Sequence, residues 1–153
     1  MNRNIRVSVI LLKDNKLLLV NMRRKNSSIY VLPGGGLELG ESIFEAGARE
    51  VKEETNLNVK NLKIVYLKEL YTHTDESMDI ILYGEIASGE LKKGYDPEHG
   101  DNQKLYDVFW IDIEKLPSLN FHPKQLIIYL KKDLENKFSI GVRHLGRFEY
   151  PER

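Results

Sequence analysis

The stretch GGGLELGESIFEAGAREVKEETNL, residues 34–57, decides how this chain is read. It follows Pro33, and a proline before three glycines is expected to form a loop with unusual backbone angles or a close backbone approach. At Ser42 the pattern changes. Ser42 with Glu45 three residues on is a capping box, and 42–55 is predicted as a helix. Phe44, Ala48, Val51 and Thr55 fall on one stripe, predicted to face the core. Asn56 stands at the exit, where a left-handed residue is common. Glu50, Glu53 and Glu54 sit at i, i+3 and i+4, which puts three carboxylates on one helical face, close enough to repel. A divalent cation relieves that repulsion, and hard oxygen ligands suit magnesium or manganese. A solvated acidic face is the commoner fate of such a triplet taken alone.

Outward from this stretch the chain alternates strand and helix signals. Residues 5–12 and 16–22 are predicted strands about an Asp14-Asn15 turn, and 23–28 is a polar loop. Residues 30–32 form a short strand, and 59–71 and 78–86 longer ones. A polar loop spans 89–104, long enough to suggest binding. A strand over 106–111 and a helix over 123–135 follow, the helix with Leu126, Ile127, Leu130 and Leu134 on one side. The tail, 137–153, carries no assignable pattern. The order predicts an α/β (α+β) fold, a mixed sheet between helices. The length and the absence of a linker or repeat predict one domain over residues 1–153.

Composition limits the partners. Lys plus Arg (23) equals Asp plus Glu (23), so no global field draws in nucleic acid. No cysteine is present, which excludes disulfides, thiolate metal sites and cysteine nucleophiles and suits a reducing cytoplasm. No apolar run is long enough to cross a bilayer, and the first residues run into a strand pattern without a signal peptide.

Gly35, then Glu41 after five residues, then Arg49-Glu50-Val51, Glu53-Glu54 and Asn56-Leu57 at their spacings resemble the Nudix box. One position departs: the family has glycine where this chain has Asn56. Tyr30 ahead of the Pro-Gly-Gly turn, and Trp110 followed by Glu114 and Leu116, extend the likeness. The resemblance implies a Nudix fold and magnesium-dependent hydrolysis of a nucleoside diphosphate linked to another moiety. It implies metal ligation by the Gly34 carbonyl, Glu50, Glu53 and Glu54, with help from Glu41. Arg49 is expected to orient the carboxylates by ion pairing. Gly35, Gly36 and Arg23 are candidates for contact with substrate. Ser42 is a helix cap and not a nucleophile. Many family members add an acid outside the box; Glu98, Asp101, Glu76 and Asp79 are the candidates.

Other residues carry ordinary expectations. Arg23 and Arg24 hold phosphate or are simply solvated. Tyr30 and Phe121 are expected in core packing, and His73, His99, His122 and His144 on the surface. Arg143, His144 and Arg147 form a small basic cluster that would matter only if it reached a phosphate across a homodimer. No proline lies between Pro33 and Pro97, where enzymes acting on ADP-ribose often carry one. That leaves a small nucleotide, a triphosphate or a nucleotide sugar, as the expected substrate. An RNA 5′-end hydrolase or a non-catalytic nucleotide-binding domain is the alternative.

Overall fold

The computed structural model describes residues 2–94 and 106–150, all but the side chain of Arg24. Strand β1 (Asn2–Ile10) passes through β2 (Leu12–Lys13) into a two-residue turn and returns as β3 (Lys16–Arg24). Asp14 and Asn15 both hold positive φ, 51° and 62°, the backbone that lets a two-residue hairpin keep the strands' twist. The chain continues as β4 (Ser27–Val31), β5 (Gly34–Gly36), helix α1 (Ile43–Thr55), β6 (Asn58–Tyr71) and β7 (Asp75–Ser88). After the next described strand, β8 (Tyr106–Asp112), come a 3-10 turn (Ile113–Ser118), β9 (Phe121–His122), α2 (Lys124–Glu135) and β10 (Arg143–Glu149).

One mixed sheet has the order β10-β6-β7-β1-β5, with β1/β7 and β6/β10 parallel. A second runs β2-β3-β4-β9, with β8 antiparallel to β3. Alternating residues of single strands belong to opposite cores. Val7 and Val9 pack with Ala46 and Val51 of α1, whereas Ile10 packs with Leu126 and Leu130 of α2. Leu18 joins the α1 side, and Leu17 and Leu19 the α2 side. The sheets are therefore covered on both faces, α1 on one and α2 on the other. This is the expected α+β layer arrangement.

Several expectations change. Residues 34–36 are a strand paired with β1 (Gly34 opposite Ser8, Gly36 opposite Arg6), not a loop, because extended glycine satisfies the sheet edge with its backbone alone. The polar loop at 23–28 shrinks to a turn at 25–26, since Arg23 and Arg24 still pair with Ser28 and Ser27. Phe44 is exposed; the buried residues of α1 are Ala46, Gly47, Glu50, Val51, Glu54 and Thr55. The helix turns its acids inward, so its buried stripe is part ionic. The unassigned tail supplies β10, whose pairing with β6 no local pattern reveals. Among the described residues no helix is long and apolar enough to cross a membrane.

Candidate active site

Helix α1 starts as its sequence dictates. Ser42 Oγ accepts from the Glu45 N–H at 3.1 Å, and Glu45 Oε2 accepts from the Ser42 N–H at 2.8 Å. This reciprocal cap fixes the first turn, and it commits the Ser42 hydroxyl to structure. At the other end Asn56 holds φ 66°, the left-handed exit. The loop beyond β7 returns to this end: the Lys92 N–H donates to the Thr55 carbonyl at 3.0 Å and the Gly94 N–H to the Glu54 carbonyl at 3.1 Å. Asn56 Nδ2 donates to the Glu90 carbonyl at 3.0 Å.

The acids of α1 converge on β5. Glu50 and Glu54 are 0% and 3% exposed, which for carboxylates demands partners. Glu54 Oε1 accepts from the Gly34 N–H at 2.7 Å. Gly35 lies against Glu50 so closely that a Cβ there would overlap the carboxylate. Arg49 stands among the acids. Its Nε donates to Glu41 Oε1 at 2.6 Å, and its Nη1 to Glu50 Oε1 at 2.8 Å and to Glu53 Oε2 at 3.3 Å. Its Nη2 donates to the Gly36 carbonyl at 3.0 Å and to Glu41 Oε2 at 3.1 Å. The Arg49 hydrogen bond holds the Glu41 carboxyl below the usual range, against the opposing effect of burial. Glu41 in return holds the guanidinium well above its ordinary value.

Glu41, Glu50 and Glu53 thus share one guanidinium, and Glu54 stands beside them on the Gly34 N–H, at the edge of a sheet. The donors are all oxygen, the set a hard divalent cation takes. Among the described residues no three acids close into a metal cage, since Arg49 occupies the space between them. Gly34 meets the acids through its N–H.

Residues 34, 35, 36, 41, 49, 50, 53 and 54 are brought together; the other candidates are not. Arg23 ion-pairs with Asp107 of β8 and touches none of the acids of α1. Glu76 is shared by Arg3 and Arg147, and Asp79 accepts from Ser77 Oγ at 2.8 Å. Glu98 and Asp101 lie outside the described residues. The basic tail cluster is matched within the chain, Arg143 by Asp133, His144 by Glu69 and Arg147 by Glu76. Phe121 is fully buried with Tyr30 packed against the same core, and His122 and His144 are exposed. Sequence reasoning missed Lys68 and Asp133, which are buried although charged.

The sequence model of the NUDIX domain matches residues 2–130. The chain belongs to the Nudix family. Among named relatives, the ADP-ribose pyrophosphatase of Methanocaldococcus jannaschii is 35% identical over 128 residues, covering 80% of this chain and 70% of the relative. The NAD-capped RNA hydrolase NudC of Vibrio atlanticus is 33% identical over 113 residues, 74% of this chain but only 39% of that protein. In structure, a NUDIX hydrolase from Nitrosomonas europaea superposes with a TM-score of 0.70 at 22% identity, covering 88% of this chain and 90% of the other. An ADP-ribose pyrophosphatase from Streptococcus suis does so at 0.66 and 20%, covering 92% and 98%. This Nudix chain is an enzyme of the pyrophosphohydrolase type, and its box lies at the carboxylate cluster of α1 and β5.

Proposed function

We propose that this Nudix enzyme hydrolyses the diphosphate of a nucleoside diphosphate linked to a second group, with magnesium or manganese as cofactor and ADP-ribose as the first substrate to test. The observation that carries this reading is the cluster of Glu41, Glu50 and Glu53 on Arg49, with Glu54 on the Gly34 N–H, gathered against the glycine strand. The name of the archaeal relative, which this chain matches over most of both lengths, favours ADP-ribose over the triphosphate or nucleotide sugar that the missing proline marker suggests. A cation bound there supplies an activated water and neutralises phosphate charge. The chain's own contribution is to hold and orient. Glu50, Glu53 and Glu54 are the carboxylates that would hold the cation, and the Gly34 carbonyl would complete the set. Arg49 orients Glu50 and Glu53 and would have to yield oxygens of both to a bound cation, while Glu41 keeps the guanidinium in place. Gly35 and Gly36 let the substrate's diphosphate approach the backbone. Arg23 reaches substrate only by giving up Asp107.

The test is a panel of ADP-ribose, nucleoside triphosphates, nucleotide sugars and NAD-capped RNA, with magnesium or manganese, resolved by product identity. ADP-ribose is expected to give AMP and ribose 5-phosphate. Glu53→Gln and Glu54→Gln are each expected to lower kcat about a hundredfold or more, since each removes an anionic cation ligand. Full activity in both variants would overturn the assignment of the site. Cleavage of the capped RNA alone would replace the small-molecule reading.

A further inference from the structure

Lys68 is 8% exposed, and among the described residues its ammonium has neither a hydrogen-bond acceptor nor an ion-pair partner. The ammonium lies over the Phe148 ring, 5.5 Å from its centroid. The stem is buried, yet Lys68 Nζ is not among the buried polar atoms left without a partner, so the ammonium ends at solvent, half-desolvated and open to a ligand. Burial pushes this ammonium below the usual lysine range, and Asp79 and then Tyr150 oppose the shift.

The sheet register says where Lys68 points. Leu67 packs on the α1 side and Tyr66 on the α2 side, so Lys68 alternates to the α2 side. There it pairs with Asp79 of β7, Asp79 pairs with Arg6 of β1, and Arg6 with Gly36 of β5. A single row therefore runs Gly36, Arg6, Asp79, Lys68 and ends at the Phe148 ring. Its near end is the residue whose carbonyl accepts from Arg49. Strands lie about 4.8 Å apart, so the Lys68 backbone stands on the order of 14 Å from Gly36. A nucleoside hung from a diphosphate at β5 covers that span once the lysine's own reach is subtracted.

The charges choose the ligand. Asp79 sits between Arg6 and Lys68 and is half-buried, so it repels a second phosphate from this end of the row. Lys68 offers only donors, and Asp79, with one oxygen bound to Ser77 Oγ, offers an acceptor. They stand side by side but more than ion-pair distance apart. A donor next to an acceptor, with an aromatic ring at the edge, fits a neutral heterocycle that presents an acceptor beside an N–H.

We infer that Lys68 and Asp79 read the nucleobase of the substrate, as specificity-determining residues on the sheet face opposite α1. The substrate class rests on the diphosphate-cutting reading above; the base-reading pair does not, because it can be tested by binding alone. The variant is Lys68→Met, which keeps the side chain's length and removes its donors. On the best nucleotide of the panel it is expected to raise KM tenfold or more with kcat changed less than twofold, and to flatten the preference among bases. By calorimetry it is expected to weaken AMP binding by tenfold or more and to leave ribose 5-phosphate binding unchanged. The melting temperature is expected to hold or rise slightly, because the variant removes a partly desolvated charge that makes no hydrogen bond or ion pair. Equal loss for AMP and ribose 5-phosphate, an unchanged base preference, or a fall of several degrees in melting temperature would each overturn the inference and mark Lys68 as structural. If wild-type protein hydrolyses nothing in the panel yet loses AMP binding selectively on Lys68→Met, the catalytic reading fails and this one stands.

Discussion

A methyl group at position 35 would land on the Glu50 carboxylate. Gly35 is extended backbone in β5, so glycine is needed there for space and not for an unusual φ. Glu50 is fully buried and tied to Arg49, so an added Cβ would turn the carboxylate and spare the backbone. Gly35→Ala is therefore expected to fold with a melting temperature close to wild type and to lose activity by about a hundredfold, the scale of a small misplacement of a catalytic group. Kinetics beside a thermal melt check this; a large loss of stability with kcat intact would place Gly35 in folding only. Residues 34–57 announced this site through spacing, and the acids and glycines they name do meet. Lys68 was invisible by the same route. Nothing near it in sequence distinguishes it from exposed Lys63 on the same strand, since its burial comes from β7 and β10.

At the scale of elements, α1 is defined by its two ends. Its start was fully legible, because a capping box is a local device. Its buried face was not. The periodicity of Phe44, Ala48, Val51 and Thr55 assumes that an apolar stripe faces inward, whereas Arg49 and the Gly34 N–H pay for burying the acids beside Val51. The exit explains the departure at Asn56. Asparagine tolerates the left-handed backbone and also bonds the Glu90 carbonyl, which ties the loop after β7 to the helix. Asn56→Ala loses both and is expected to cost about 2 kcal/mol, from left-handed strain and one lost hydrogen bond. Asn56→Gly loses only the bond and is expected to stay within about 1 kcal/mol of wild type. Denaturant midpoints decide it; equal losses in the two variants would mean the backbone angle is unimportant.

The whole molecule is closed by an ionic knot that no local pattern shows, because its members lie on β6, α2 and β10. Asp133 is 1% exposed and takes both Arg143 Nη2 at 2.8 Å and Nε at 3.1 Å, while Tyr66 Oη donates to it at 2.7 Å. Arg143 also lies over the Tyr129 ring, 4.1 Å from its centroid. The last described strand is thus bolted to the sheet and to α2 at one carboxylate. Hydrogen bonding from Arg143 and then from Tyr66 holds the Asp133 carboxyl below its ordinary value. A depressed carboxyl contributes stability above its unfolded pKa, near 4, and loses it as pH falls toward the folded value. Tyr66 behaves oppositely: burial first, and then Asp133, push its hydroxyl above the ordinary tyrosine value. Its contribution is complete below about pH 10 and is lost as pH rises beyond that. Asp133→Asn leaves Arg143 without its counter-charge and is expected to cost about 3 kcal/mol at neutral pH, the lower end for breaking a buried pair. The same variant should flatten the acid limb of the stability curve, and Tyr66→Phe the alkaline limb. Urea midpoints from pH 3 to 11 for the three proteins separate these effects. An acid limb equally steep in Asp133→Asn would show that other carboxylates, Glu41 first among them, set the acid limit instead.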